Sequence, residues 1–173
     1  MRRACLFLGL VSCLLGAAVA AEAPSWRLTP SGWGPARIGM TRAQVTAALH
    51  QTLEGDAFDN EGACVELVAA DNALPGLYFM FEEGRLTRIS ATEPSQIATP
   101  RGMHVGSTAE EVRQAYGPGL STNPHKYEEP PAEYLTFWLQ PGKHGVRFET
   151  DMRGKVEAIH AGGPSIQYVE GCA

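Results

Sequence analysis

The side chains of this chain that could bind a metal ion or transfer a proton include five histidines, which are spread along most of its length. They are His50, His104, His125, His144 and His160. No His-Glu-x-x-His motif and no closely spaced histidine pair is present, so a zinc site would have to be assembled by the fold from distant parts of the chain. The sequence therefore favours ordinary surface or partly buried histidines and predicts neither a metal ion nor a cofactor.

Carboxylates cluster in three places, and none of them has the spacing of a known site. The segment Asp56–Gly62 is acidic enough to suggest a calcium loop, but Phe58 occupies a position that needs an oxygen ligand. Glu82-Glu83 and Glu128-Glu129 are neighbours in predicted turns or loops, where adjacent carboxylates need not converge on a substrate. We therefore predict a solvated loop before Cys64 and no catalytic carboxylate pair.

Signatures of a nucleophilic hydrolase are also missing. There is no Gly-x-Ser-x-Gly motif, and neither Cys64 nor Cys172 lies in a recognisable catalytic setting. We predict that the protein is not an enzyme. Motif absence alone does not exclude one, so an enzyme is kept as a third hypothesis.

The start of the chain has the pattern of a secretory signal peptide. A charged Met1-Arg2-Arg3 precedes an almost entirely apolar stretch, Ala4 to Ala20, which ends in small residues. We predict a signal peptide over 1–21 and a periplasmic or secreted product without a transmembrane span. The alternative is a lipoprotein anchored through Cys13, since Leu10-Val11-Ser12-Cys13 resembles a bacterial lipobox.

Removal of that signal would leave Cys64 and Cys172 as the remaining cysteines. Two cysteines in an oxidising compartment allow one intramolecular pairing. This disulfide would close a loop of about 108 residues, which the chain-entropy relation makes worth up to roughly 4 to 5 kcal/mol. The alternative, a redox-active pair, needs a short Cys-x-x-Cys spacing that is absent.

The composition narrows the classes of partner. The chain of 173 residues has a net charge of −5, and loss of Arg2 and Arg3 with the signal makes it more acidic still. An acidic protein does not suit nucleic acid or an anionic lipid surface. Roughly 150 mature residues suffice for one good core or two small fused ones.

Two octets share one pattern, which predicts two similar tandem units. They are Ile38–Val45 and Val105–Val112. Thr41 with Gln44, and Thr108 with Glu111, each have the spacing of a capping box at the start of a helix with an apolar face. The first helix is predicted over about Arg42 to His50.

Three strands are predicted after each helix. They are Cys64–Val68, Leu77–Phe81 and Arg85–Ser90, then Tyr134–Leu139, Gly145–Thr150 and Lys155–His160. The predicted organisation is an N-terminal extension at 22–33, a first unit at 34–92, a linker at 93–100, and a second unit with a C-terminal tail at 101–173. Helices placed before antiparallel strands indicate the α+β class, with a short helix or helix pair packed on an antiparallel sheet in each unit.

The alternation along the strands separates a core face from a second face. The predicted core residues are Leu77, Phe79, Phe81, Leu135, Phe137, Leu139, Val146 and Phe148. Aromatic and arginine side chains dominate protein interfaces, so we predict that the second face is open and binds a protein partner. Its candidate residues are Tyr78, Met80, Tyr134, Trp138, Arg147 and Glu149. The alternative is that another element covers this face.

A helical pair packed on an antiparallel sheet, expected twice in an exported protein and headed by Ile38-Gly39-Met40-Thr41, resembles two families. One is the two-repeat β-lactamase inhibitory protein, and the other is the single-repeat BamE (SmpA) outer-membrane assembly lipoproteins. Leu28–Pro35 and the end Glu170-Gly171-Cys172 also resemble uncharacterised exported bacterial proteins. The resemblance implies an inhibitor of a β-lactamase or cell-wall hydrolase or, as the alternative, an envelope structural or assembly factor; it implies no contact residue.

Overall fold

The computed structural model describes residues 26–55 and 63–172. The predicted signal peptide, Cys13 and the acidic segment Asp56–Gly62 lie outside the described residues. No helix within the described ranges is long and apolar enough to cross a membrane.

Two helices and eleven strands are formed by the described residues. The strands are β1 Leu28–Thr29, β2 Gly32–Trp33, β3 Ala36–Arg37, β4 Leu53–Glu54, β5 Cys64–Ala69, β6 Leu77–Glu82, β7 Arg85–Thr92, β8 Leu120–Pro124, β9 Glu133–Gln140, β10 His144–Thr150 and β11 Val156–Gly162. The helices are α1 Arg42–Leu49 and α2 Ala109–Tyr116, and short 3₁₀ turns occupy Ala70–Asn72, Gly117–Gly119 and Pro164–Gln167. The predicted α+β class is confirmed, with strands outweighing helices.

Eight of these strands form one continuous antiparallel sheet in the order β4-β5-β6-β7-β11-β10-β9-β8. The expectation of a separate sheet in each unit is therefore corrected. Strands β7 and β11 pair directly, with Ser90 opposite His160, so the two halves of the chain share one sheet. Each half contributes one helix followed by four strands.

Both helices begin with the predicted capping boxes. The Thr41 side chain accepts a hydrogen bond from the Gln44 N–H, and the Gln44 side chain accepts one from the Thr41 N–H at 2.8 Å. Thr108 and Glu111 make the same reciprocal pair. Hydrogen bonds from the Thr108 backbone and side chain lower the pKa of Glu111. Helix α1 ends one residue earlier than predicted, where His50 adopts a left-handed conformation.

The segment before each helix is tied to the last strand of its own half in the same way. In both halves, a glycine N–H donates to a strand carbonyl and the following residue's carbonyl accepts from the same strand residue. The pairs are Gly39 N to Leu86 O at 2.7 Å, Leu86 N to Met40 O at 2.8 Å, Gly106 N to Val156 O at 2.7 Å and Val156 N to Ser107 O at 2.8 Å. The two helices are thereby held on the same face of the sheet.

The core lies between this face and the helices, as the strand alternation predicts. Leu77, Phe79, Phe81, Leu135, Val146 and Phe148 are all buried, and Phe137 packs against them. The prediction for Leu139 is wrong, because this side chain is 60% exposed. Leu139 is the extra residue at the irregularity in the β9–β10 pairing, where His144 lies opposite Gln140 and Gly145 lies opposite Trp138.

The predicted disulfide between Cys64 and Cys172 is formed, with the two Cα atoms 5.5 Å apart. It joins the start of β5 to the last residues of the chain, across 108 positions. A disulfide of this kind is typical of exported proteins.

Candidate binding site

The face of the sheet opposite the helices, here called the polar face, carries every predicted partner-binding residue. The prediction that this face is open is wrong for three of them, since Met80, Tyr134 and Arg147 are buried. Two parts of the chain cover it: the C-terminal segment, 163–172, and the loop 125–132. Tyr78 alone among the six candidates counts as exposed, at 37%.

Two arginines of the polar face hold the C-terminal segment through its backbone. Arg88 donates from Nη1 to the carbonyls of Ser165 and Tyr168, both at 3.1 Å. Arg147 donates from Nη1 to the carbonyl of Gln167 at 2.8 Å. The segment therefore packs as part of the fold.

Trp138 lies near the same segment. A Cβ added at Gly145 would lie 2.8 Å from the Trp138 ring and 3.0 Å from the Cδ1 atom of Ile166. Both side chains therefore occupy the space above Gly145, and Ile166 is completely buried. Trp138 is half-buried and packs as a structural residue.

The two arginines differ in what balances their charge. Arg88 forms an ion pair with Glu66 at 3.1 Å. Arg147 has no carboxylate within ion-pair distance among the described residues; its guanidinium instead stacks on the Tyr134 ring, 3.6 Å from the ring centroid. Burial lowers the pKa of Arg147. Sequence reasoning missed Arg88, although it falls at a polar-face position of the β7 alternation.

Glu149, a predicted partner-binding residue, is instead the acceptor of a buried hydrogen-bond network. Its carboxylate contacts His125 Nε2 at 2.7 Å and His160 Nε2 at 3.4 Å. Burial acts to raise the pKa of Glu149, but the hydrogen bonds from His160 and His125 outweigh it and hold the pKa below its usual value. Burial lowers the pKa of His160, so this ring is neutral in the fold near neutral pH.

This network brings together the one group in the described chain with the make-up of a metal site. His125, Glu149 and Glu157 place ligand atoms within 4.8 Å of one another. However, His125 Nδ1 accepts hydrogen bonds from the N–H groups of Tyr127 and Glu128, at 3.2 and 2.9 Å. The ring proton must then be on Nε2, which donates it to Glu149 and cannot bind a cation.

Metal-bound histidines show the opposite arrangement, because they donate their second ring N–H to an acceptor. The residues present therefore do not fit a metal ion at His125. Burial, together with the nearby carboxylates of Glu128 and Glu149, raises the pKa of Glu157.

Ser90 extends the network into an arrangement that superficially resembles a nucleophile and its base. Its hydroxyl donates to His160 Nδ1 at 2.8 Å, and His160 donates from Nε2 to Glu149. Ser90 is buried between β6 and β11, with 3% of its surface exposed, so a substrate cannot reach its oxygen. The network satisfies buried polar groups and holds the seam between the two halves.

An unpaired sheet edge is the surface that sequence reasoning missed. Strand β8 lies at one end of the eight-stranded sheet, and its residues 121–124 are exposed. Its alternating side chains border two cavities on opposite faces. Ser121 and Asn123 line a cavity of about 300 Å³ on the polar face, together with Tyr134 and Arg147.

On the helix face, Thr122 lines a second cavity, of about 610 Å³, with the start of α2 and Pro130-Pro131. The predicted partner residues Tyr134 and Arg147 thus belong to the wall of the first cavity. The signal for β8 was weak, because Leu-Ser-Thr-Asn-Pro contains one aliphatic side chain and ends in a proline.

No family model and no curated protein matches this chain. Among solved structures, an extracellular protein from Bacillus anthracis that contains an SCP domain aligns with a TM-score of 0.48 and 10% identity, over 87% of this chain and 50% of that one. This chain thus spans half the length of that protein. A similarity this low carries no argument about function, so the resemblance to the inhibitory and BamE-like families stays a prediction.

Proposed function

We propose that this protein is an exported, non-enzymatic binding protein that takes an extended segment of a partner protein as an added strand beside β8. One observation carries the proposal: β8 is a five-residue edge strand with exposed residues and a cavity on each face. Export is supported by the signal-like start and by the disulfide. The proposed location is the periplasm or the medium.

An edge strand offers backbone N–H and C=O groups that a second extended chain can pair with. In this mode of recognition, backbone hydrogen bonds supply affinity and pockets for alternate side chains supply specificity. The two cavities beside β8 are placed for side chains that point to opposite faces of an added strand.

The two edges of the sheet differ in how well they are protected. Exposed edges in soluble proteins are usually blunted by short strands or by charged residues. The opposite edge, β4, has only two residues and includes Glu54. Strand β8 is longer and carries no charged side chain, and its proline comes only at the end. The edge at β8 is therefore the better one for strand addition.

Site-specific photo-crosslinking tests the proposal. A photo-reactive residue is placed at Thr122 on β8 and, as the matched control, at Glu54 on β4; both positions are exposed. In cells that produce the protein, we expect an adduct from position 122 and none from position 54. Peptide mapping should place the crosslink on an extended segment of the partner.

A second part of the crosslinking test introduces a charged residue on the β8 edge. Ser121→Lys should reduce the adduct at position 122 by about tenfold or more, because a lysine on an edge strand opposes pairing. The melting temperature of the Ser121→Lys variant should stay close to that of the parent protein, since Ser121 is exposed. Equal adducts from positions 122 and 54, or an adduct unaffected by Ser121→Lys, would overturn the proposal.

A further inference from the structure

The cavity on the polar face beside β8, here called the Arg147 cavity, has a wall with an unusual charge balance. Arg147 is only 7% exposed, yet its nearest contacts are an aromatic ring and two backbone carbonyls. A buried charge is normally paired with an opposite charge, because removing it from water is costly. The guanidinium of Arg147 therefore lacks the partner that Glu66 supplies to Arg88.

The nearest negative charge does not fill that role. Glu149 acts on Arg147 electrostatically, but its two oxygens are engaged by His125 and His160. The Nε atom of Arg147 is buried and has no hydrogen-bond partner among the described residues. Arg88 Nε shares that feature, so the missing carboxylate and the adjoining cavity are what set Arg147 apart.

The rest of the cavity wall is rich in neutral hydrogen-bonding groups. They come from Ser121, Asn123, Tyr134, Thr136 and Gln167. Burial raises the pKa of Tyr134, which keeps its hydroxyl protonated and able to donate. A guanidinium beside neutral polar side chains is a setting in which a carboxylate can bind.

We propose that the Arg147 cavity binds a carboxylate, and that this carboxylate belongs to the partner segment that pairs with β8. The inference rests on the proposed function. One arginine and a cavity of about 300 Å³ match a single small carboxylate. A phosphate dianion is disfavoured, because the nearby Glu149 would repel a second negative charge.

The test uses N-acetylglycine as the probe, its uncharged methylamide as the control and inorganic phosphate as the competing anion. Two-dimensional NMR follows the Arg147 Nε–H resonance of the intact protein. We expect a saturable shift with N-acetylglycine, with a Kd on the order of 1 mM, and a response at least about tenfold weaker with the other two probes. An equal response to the methylamide, a stronger one to phosphate, or no saturable shift would overturn the inference.

Two variants separate binding from folding. Arg147→Gln removes the Nε–H reporter, so binding is then followed by the backbone amide of Asn123, whose shift with N-acetylglycine should be abolished. This variant also loses the bond from Arg147 to the C-terminal segment. Asn123→Asp is the sharper variant, because it places a carboxylate in the exposed wall of the cavity with little change of shape. It should abolish binding of N-acetylglycine without lowering the melting temperature, whereas unchanged binding by Asn123→Asp would contradict the site.

Short peptides distinguish the source of the carboxylate. Two peptides are compared, one with an internal glutamate and one with a free C-terminus. If the carboxylate is part of an added strand, they should bind tighter than N-acetylglycine by about tenfold or more. Their glutamine and amidated counterparts, which lack the carboxylate, are the controls. Equal affinity would mean that the cavity takes a free small carboxylate, which overturns the link to the partner segment. An adduct at position 122 without carboxylate binding defeats this inference alone, and carboxylate binding without that adduct defeats the proposed function.

Discussion

The two halves of the sheet use an arginine on the same face for the same purpose but surround it differently. Arg88 in the first half and Arg147 in the second both hold carbonyls of the C-terminal segment. Arg88 is balanced by Glu66, whereas Arg147 is stacked on Tyr134 beside a cavity. The buried arginine of the first half therefore has a carboxylate partner, whereas among the described residues that of the second half has none within ion-pair distance.

The sheet edges follow the same division. The first half ends in the two-residue β4, and the second ends in the exposed β8. A sheet edge and an unbalanced cation thus lie within one half of the molecule. Both features support the proposal that a partner segment binds to the second half.

The disulfide should give the largest effect, because it connects the halves through the C-terminal segment. We expect Cys172→Ser to lower the free energy of unfolding by up to about 4 to 5 kcal/mol, from the loss of a long closed loop. Denaturant unfolding of the parent and of Cys172→Ser measures this. Cys64→Ser should match it, and a loss below about 1 kcal/mol in both would contradict a structural role.

Removal of each arginine tests the difference in charge balance directly. Arg88→Met should destabilise the fold by about 3 kcal/mol, because it leaves Glu66 partly buried without its partner. Arg147→Met leaves no carboxylate behind, so we expect a smaller loss of about 1 to 2 kcal/mol from the hydrogen bond and the ring contact. Equal losses would remove the distinction between the halves.

A double variant identifies the cause of the larger loss. Glu66→Gln combined with Arg88→Met should recover part of the stability lost in Arg88→Met alone, because the stranded charge is then gone. Strict additivity of the two changes in denaturant unfolding would mean that the pair does not interact.

Acid should weaken the seam between the halves. Burial lowers the pKa of His160 in the folded protein. The unfolded chain therefore binds a proton at this residue at a higher pH than the folded protein does. The stability linked to the neutral ring is present above about pH 6.5 and is lost as the pH falls below it. The lowered pKa of Glu149 acts in the same direction at still lower pH. Each proton taken up on unfolding contributes at most about 1.4 kcal/mol per pH unit.

Unfolding free energies measured at about pH 7.5 and about pH 5.5 test this dependence. His160→Gln should shrink the difference between the two pH values, since an amide does not titrate. His104→Gln, which changes an exposed histidine, should leave the difference as it is. An unaltered difference in His160→Gln would contradict the role given to this ring.

The smallest expected effect is one that the halves share. Thr41→Ala and Thr108→Ala each remove an N-cap, and each should cost about 1 kcal/mol in the free energy of unfolding. Similar losses in thermal or denaturant unfolding would show that the two halves agree in how their helices start. A loss confined to one variant would break that parallel.

Much of the local structure could be predicted from the sequence. The caps at Thr41 and Thr108, the core positions Phe79 and Phe148 and the pairing of Cys64 with Cys172 are all confirmed. The tandem relationship between the halves stays a prediction, which the equivalent hydrogen bonds before the two helices support.

The binding surface was predicted less well. Tyr134 and Arg147 lie on the predicted sheet face, but both are buried there, and their part in partner binding stays a prediction. The prediction missed β8, Arg88 and the network around Glu149, because each depends on a contact between distant parts of the chain.

The sequence by itself determined the features that depend on near neighbours: where the helices start and which side of each strand is apolar. These follow from interactions over three or four residues and from the two-residue period of a strand. Only the tertiary structure decided that β7 pairs with β11, that the C-terminal segment covers the polar face, and that Arg147 lies beside a cavity without a carboxylate. Strand order and chain crossings join residues that are far apart in sequence, and no local pattern specifies them.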